Sequence, residues 1–134
     1  MIDKICEGAV FHFNGAGIKN HFHIIVNINA KTGQALLFGV VTSHVAMRKQ
    51  DAEDTDESPE TIVDLSPVQC PCLRYDSVVD CNEPLVLKRD KLEQLIAAGK
   101  VTFKCNVSRE ITFKIRKGIQ ISKNADMDAK GLLY

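Results

Sequence analysis

Two histidines and a hydroxyl pair are the residues whose spacing best suggests chemistry. His21 and His23 stand two residues apart in an apolar, β-type stretch, so in a strand they would share one face. Thr42 and Ser43 end the next apolar stretch. An imidazole can give or take a proton near neutral pH, and a hydroxyl can donate to a phosphate oxygen. The pattern therefore predicts a phosphate or RNA site at the ends of two neighbouring strands.

Other candidate residues flank this predicted site in the sequence. Lys19 precedes the first histidine and is predicted to bind phosphate, while His44 follows the hydroxyl pair as a reserve candidate. Phe22 and Tyr75 are the aromatic residues predicted to stack on bases. His12 lies between two phenylalanines and is interpreted as structural. The alternative for the histidine pair is an ordinary structural role, since no other sequence feature fixes the site.

A zinc site is a second interpretation of the same kinds of residue. Cys70, Cys72 and Cys81, with the histidine pair, offer enough sulfur and nitrogen ligands. Their spacing does not match ribbon or finger patterns, however, and Cys-Pro-Cys is a stiff chelate. We therefore predict no metal and no other cofactor, and interpret the cysteines as small buried residues of a reduced protein.

Size and charge set wider limits on the protein. The chain has 134 residues, which predicts a single domain over 1–134. Net charge is zero, but six of the 17 acids and none of the 17 bases lie in residues 51–60, so the rest of the chain is basic overall. No apolar stretch approaches the roughly 20 residues of a membrane span. The start lacks signal-peptide features, and five unevenly spaced cysteines argue against a disulfide framework, so we predict a cytoplasmic protein without a membrane partner.

The elements that must position these residues are predicted from alternation and turn signals. Predicted strands are 5–13 (interrupted at Gly8), 21–28, 34–43, 61–65, 77–81 and 84–87. Residues 46–60 are predicted to be a mobile acidic loop. Early strands followed by late helices indicate a small α+β domain with a curled antiparallel sheet.

A helix is predicted over residues 90–99. Asp90 can cap its free N–H groups, with Glu93 three residues on as in a capping box. Gly99 fits the left-handed stop position. The following tail alternates like strands but also repeats every four residues, with Ser108 as a possible helix cap, so periodicity alone leaves both forms open.

Four segments, in this order, resemble the MazF/PemK toxin family of bacterial toxin–antitoxin systems. They are 5–11, like the opening strand; 21–27, like the second strand; 40–43, similar to a Pro-Leu-Thr-Ser strand end; and 76–92, similar to the Asp-Ser-Val block and its helix. The resemblance implies an SH3-like antiparallel barrel with one or two helices in the C-terminal half. It also favours a strand at 101–105 and a helix at about 109–122.

The resemblance further implies metal-independent cleavage of single-stranded RNA by a homodimer whose RNA groove is covered by a cognate antitoxin. The family's catalytic pair is an Arg at the start of the second strand and a Thr or Ser at the end of the third. Thr42 matches the hydroxyl, with Ser43 beside it, whereas His21 or His23 stands near the Arg position. We therefore predict an endoribonuclease toxin with these four residues as its catalytic site.

A non-catalytic barrel that binds protein or nucleic acid is the alternative, and the missing Arg supports it. Phosphate contacts would then come from basic residues of the predicted last helix: Lys114, Arg116, Lys117 and Lys123. A cluster of this kind is more often a solvated surface. Toxicity that depends on the predicted site would separate the two functions.

Overall fold

The structure, a computed structural model, describes residues 2–15 and 21–133. These residues are organised around a six-stranded antiparallel sheet. The strands are β1 (Ala9–Phe13), β2 (Phe22–Ile25), β3 (Ala35–Thr42), β4 (Ile62–Leu65), β5 (Ser77–Lys88) and β6 (Val101–Asn106). Their spatial order is β4-β5-β3-β2-β1-β6, and neighbouring strands are antiparallel. The predicted α+β fold with an antiparallel sheet is confirmed.

Helices lie between and after the strands. They are α1 (Val45–Asp54), α2 (Arg89–Ala97), α3 (Arg109–Ile121) and α4 (Met127–Lys130), with 3-10 helices at Ile2–Lys4 and Pro59–Thr61. Within the described ranges, no helix is both long and apolar enough to cross a membrane.

Alternating side chains send two apolar clusters to opposite faces of the sheet. On one face, Leu37 of β3 belongs to a cluster that Ile111 and Ile115 of α3 cover. On the other face, the adjacent Phe38 belongs to a cluster that Leu92 of α2 covers. The sheet is thus buried on both sides, which leaves its strand ends and connecting loops to form a site.

Residues 46–60 are largely helical, so the prediction of a loop there is wrong. Arg48 of α1 reaches the carboxylates of Asp80 at 3.1 Å and Glu83 at 2.7 Å, and Ala52 is buried. Beyond the helix, the buried Glu57 carboxylate accepts the backbone N–H of Lys123, whose nitrogen lies 3.0 Å from each carboxylate oxygen. These contacts come from distant parts of the chain. The segment therefore lacks the local apolar periodicity from which a helix could be predicted.

The predicted strands 77–81 and 84–87 form one strand, β5. Phe38 pairs with Leu85 while Val40 pairs with Asp80, so a bulge of four residues in β5 lies opposite a single residue of β3. Pro84 lies within this bulge, where it leaves no ladder hydrogen bond unmade. The proline at the start of the second predicted strand therefore lies in a bulge within one continuous strand.

The helix predicted over 90–99 is α2, with a corrected start. Lys88 occupies the N-cap without a side-chain cap, so the predicted capping box at Asp90 is not formed. The predicted stop is confirmed. Gly99 has φ +72°, its N–H donates to the Ile96 carbonyl at 3.0 Å, and the next N–H donates to the Leu95 carbonyl at 3.0 Å.

The tail forms a strand and then a helix, as the resemblance favoured. β6 covers 101–106, and Ser108 caps α3 by accepting the Ile111 N–H at 3.4 Å. Gly118 allows α3 to pack closely on β5, because a Cβ there would stand 2.6 Å from the Cys81 sulfur. The earlier strands predicted at 5–13, 21–28, 34–43 and 61–65 are confirmed at shorter lengths.

Candidate active site

A pocket of about 280 Å³ lies where the ends of four strands meet the loop between β4 and β5. Its walls come from the end of β1, the start of β2, the end of β3 and the start of β5, which antiparallel pairing brings together. The lining residues are His12, His21, Phe22, Val41, Thr42, Ser43, Cys72, Leu73, Arg74, Tyr75 and Ser77.

The hydroxyl pair lies at this pocket. Thr42 is 3% exposed, and its Oγ1 accepts the backbone N–H of His44 at 3.2 Å. The Thr42 hydroxyl proton is still able to donate to a ligand, because the backbone contact uses only an acceptor lone pair. Ser43 is exposed at the rim. His44, the reserve candidate, lies at the N-cap of α1 and does not line the pocket.

Two imidazoles line the pocket, but they are not the pair that we predicted. His21 lines it from just before β2, and His12 lines it from β1. His12 pairs across the strands with Phe22, their ring centroids 5.1 Å apart. His12, which we interpreted as structural, therefore also lies on the wall of the candidate pocket. The outward position of His12 between two buried phenylalanines was the signal that could have found it.

His23 lies outside the pocket, in the core. Its ring packs 4.5 Å from that of Phe13 and 6.2 Å from that of Phe38, and its Nδ1 lies 2.9 Å from the His21 carbonyl oxygen. The predicted shared face of His21 and His23 is wrong because β2 begins only at Phe22. Burial lowers the pKa of His23 to about 4, so the ring is neutral at physiological pH.

Arg74 and Tyr75 reach the pocket from the β4–β5 loop. Tyr75 was predicted to stack on bases, and its side chain is 71% exposed at the pocket wall. Arg74 was missed, because nothing in its local sequence marks it. It is exposed and has no ion-pair partner among the residues that the structure describes. Lys19, the predicted phosphate ligand, lies outside the described residues.

Other charged surfaces are less suited to nucleic acid. A cavity of about 530 Å³ beside α1 is lined by four carboxylates and one lysine. Several cations of α3 and the turn after it are paired. Arg116 lies 2.7 Å from Glu7, and Lys123 lies 3.3 Å from Asp56. The phosphate-binding surface predicted on α3 is thus partly neutralised, and the candidate site remains the pocket.

The cysteine grouping that we weighed as a zinc site does not form. Cys81 is buried against α3, and its thiol donates to the Ile115 carbonyl at 3.5 Å. Cys70 and Cys72 lie together in the β4–β5 loop. Burial raises the pKa of Cys72 to about 11, so its thiol is not an activated nucleophile.

Comparison with known proteins supports the fold. No family model matches the sequence, and no curated protein matches it. Among solved structures, an endoribonuclease in complex with its cognate antitoxin from a mycobacterial species aligns with a TM-score of 0.55 and 16% identity, covering 95% of each chain. A second mycobacterial endoribonuclease aligns with a TM-score of 0.55 and 13% identity, covering 98% of this chain and 95% of the other. At these identities the likeness establishes a shared fold.

Proposed function

We propose that the pocket cleaves single-stranded RNA and that the protein is an endoribonuclease toxin of a toxin–antitoxin pair. The observation that carries this proposal is the convergence of His12, His21, Thr42 and Arg74 on one pocket. Phosphodiester cleavage needs groups that transfer protons, a hydroxyl donor and a permanently charged cation. The fold shared with endoribonucleases gives independent support.

The reaction that this set suits uses the RNA's own 2′-OH. One imidazole takes the 2′ proton, the 2′ oxygen attacks phosphorus, and the bond from phosphorus to the 5′ oxygen breaks as the other imidazole gives that oxygen a proton. The products are a 2′,3′-cyclic phosphate and a 5′-OH, and no added metal is needed. Thr42 and Arg74 would stabilise the charge that builds on the phosphate oxygens.

Arg74 is our candidate for the cation that the sequence lacks at the start of β2. It lines the same pocket from the β4–β5 loop. A guanidinium can bind two phosphate oxygens at once, which suits it to this role. The positive charge at the pocket would then come from the β4–β5 loop, and the Arg that the family carries at the start of its second strand would not be needed.

Phe22 and Tyr75 supply aromatic surface on the walls of the same pocket. Stacking of bases on such rings tolerates any sequence and favours unpaired RNA, because bases in a duplex already stack on each other. We therefore propose single-stranded RNA as the substrate, with Ser43 as a further polar contact at the rim.

We also propose a cognate antitoxin as partner, a homodimer as the working form and the cytoplasm as the location. The antitoxin proposal rests on the solved neighbour, which was captured with its own antitoxin. Two exposed apolar side chains on the β4–β5 loop, Val68 at 91% and Tyr75 at 71%, offer it contact surface, and Tyr75 lines the pocket.

Cleavage of a labelled single-stranded RNA by purified protein, with product ends identified by mass spectrometry, tests the activity. We expect His21→Asn to slow cleavage about 10²–10⁴-fold, as for loss of a general acid or base. Thr42→Val keeps the side chain's shape and removes only its hydroxyl, and we expect a loss of about 10²–10³-fold. His44→Asn, an exposed neighbour outside the pocket, is the matched control and should cleave normally.

Induced expression in a bacterial host extends the test to the cell, with growth and primer extension on total RNA followed together. Growth arrest with discrete new 5′ ends, both abolished by Thr42→Val, would support the toxin. Intact RNA and normal growth with folded protein present would contradict cleavage and favour the binding module.

A further inference from the structure

Three thiols from two distant parts of the chain meet at one point. Cys70 and Cys72 belong to the β4–β5 loop, and Cys105 belongs to β6. Their sulfur atoms all lie within 4.8 Å of one another. Cys70 is buried, whereas Cys72 and Cys105 are each partly exposed, so the cluster can be reached from solvent.

Two of the three sulfur separations are close to those of a tetrahedral thiolate site. A zinc ion bound at about 2.3 Å holds its sulfur ligands about 3.8 Å apart. The Cys70 sulfur lies 3.5 Å from that of Cys72 and 3.7 Å from that of Cys105. The Cys72 and Cys105 sulfurs lie 2.8 Å apart and would separate by roughly 1 Å to admit the ion.

We propose that Cys70, Cys72 and Cys105 bind one Zn²⁺ ion, with a water molecule in the fourth position. Three sulfurs sharing one centre favour an ion over a disulfide, which joins two sulfurs and leaves the third without a role. Thiolate is a soft ligand that selects zinc over magnesium or calcium. The Cys-Pro-Cys turn already holds two of the ligands close together, so little conformational entropy is lost on binding.

The position of the cluster indicates what the ion would do. β4 and β6 are the two ends of the sheet order, and the loop after β4 reaches β6 at this point. Zinc would therefore link the two ends of the sheet and fix the loop that carries Arg74 and Tyr75 into the pocket. This role is structural and is independent of whether the pocket cleaves RNA.

Zinc binding by the reduced, metal-stripped full chain tests the proposal, using a coloured chelator as competitor. We expect one Zn²⁺ per chain and a rise in melting temperature on loading. Replacement of zinc by Co²⁺ should give thiolate-to-cobalt absorption. Cys105→Ser should weaken zinc binding more than 100-fold, because loss of a mere outer-shell partner already costs roughly 10–100-fold. The same variant should reduce the intensity of the thiolate-to-cobalt absorption. Cys6→Ser, at a half-buried thiol outside the cluster, is the matched control and should bind normally.

Two further measurements keep the outcome independent of folding defects. Circular dichroism should show that Cys105→Ser is folded, and Cys72→Ser, at the other partly exposed ligand, should repeat its loss of zinc. The proposal is overturned if the reduced wild-type chain takes up no zinc, or if Cys105→Ser and Cys72→Ser bind it as tightly as wild type. A Cys72–Cys105 disulfide in the folded protein that forms equally in excess zinc would also overturn it.

Discussion

At the scale of single residues, burial separates two histidines that look alike in the sequence. His21 and His23 are two positions apart, yet one lines the pocket and the other packs between Phe13 and Phe38 in the core. A buried ring loses the hydration that stabilises its charged form, so it stays neutral at physiological pH. His23 is thus suited to packing and poorly suited to proton transfer.

The lowered pKa of His23 makes a prediction about stability in acid. The pKa is about 4 in the folded protein against an ordinary value of 6.5, so the unfolded chain binds more protons between these pH values. Stability contributed by the neutral ring is therefore complete above pH 6.5 and is lost as pH falls towards 4. The loss should be about 3 kcal/mol, at about 1.4 kcal/mol for each pKa unit.

Urea unfolding of wild type and His23→Gln at a series of pH values measures this effect. Glutamine has a similar volume, keeps a donor for the His21 carbonyl and does not titrate. We expect the stability difference between the two proteins to shrink or reverse in acid, while RNA cleavage by His23→Gln stays near wild type. A pH-independent difference would contradict the buried neutral ring.

At the scale of elements, α1 shows how one anchor holds a helix that local sequence does not predict. The Arg48 side chain is 13% exposed and that of its partner Asp80 is 8% exposed, so the pair is largely removed from water. Asp80 lies on the central part of β5, next to its bulge. The anchor therefore fixes the acidic segment onto the sheet.

Arg48→Met should destabilise the protein by about 3–5 kcal/mol, because it leaves the Asp80 carboxylate buried without a counter-charge. Chemical unfolding measures the change. Lys49→Met is the matched control one residue away. Its ion pair with Asp64 is more than half exposed on both sides, so we expect a change within about 1 kcal/mol.

A second variant separates charge from packing at this anchor. Asp80→Asn added to Arg48→Met removes the uncompensated charge and should recover part of the lost stability. If the double variant is no more stable than Arg48→Met alone, the anchor acts through the packing of the arginine stem.

At the scale of the whole molecule, the distribution of charge sets how RNA can be held. Net charge is zero, and cations such as Arg116 and Lys123 already face acidic partners. Among the described residues, we therefore do not expect a long basic groove to be the basis of the proposed RNA binding. Affinity should come from a few phosphate contacts at the pocket together with stacking on aromatic rings.

The salt dependence of RNA binding tests this distribution. With two or three phosphate contacts, the slope of log K against log salt should lie between about −1.4 and about −2.1, since each contact to a single strand contributes about −0.7. Arg74→Ala should flatten the slope by about 0.7, whereas Lys117→Ala on α3 should leave it unchanged. A steep slope insensitive to Arg74 would place the RNA on another surface. Fluorescence anisotropy with a cleavage-resistant 2′-methoxy RNA measures both.

The sequence by itself determined the elements whose signals are local. Alternation located the first three strands, and the Ser108 cap with apolar residues every four positions allowed for α3. The sequence also predicted that Thr42 lies at a strand end, and the pocket is found at that end. Such features are encoded within a few neighbouring residues, so one sequence is enough to find them.

Only the tertiary structure decided which residues meet. Strand pairing placed His12 and His21 at the same pocket and buried His23, and a loop with no regular pattern brought Arg74 to that pocket. The same loop carries Cys70 to Cys105, thirty-five positions away in sequence. These contacts depend on strand order and on the path of the loop, which are properties of the packed chain. No local period or propensity encodes them, because their energy arises only when distant segments are buried together.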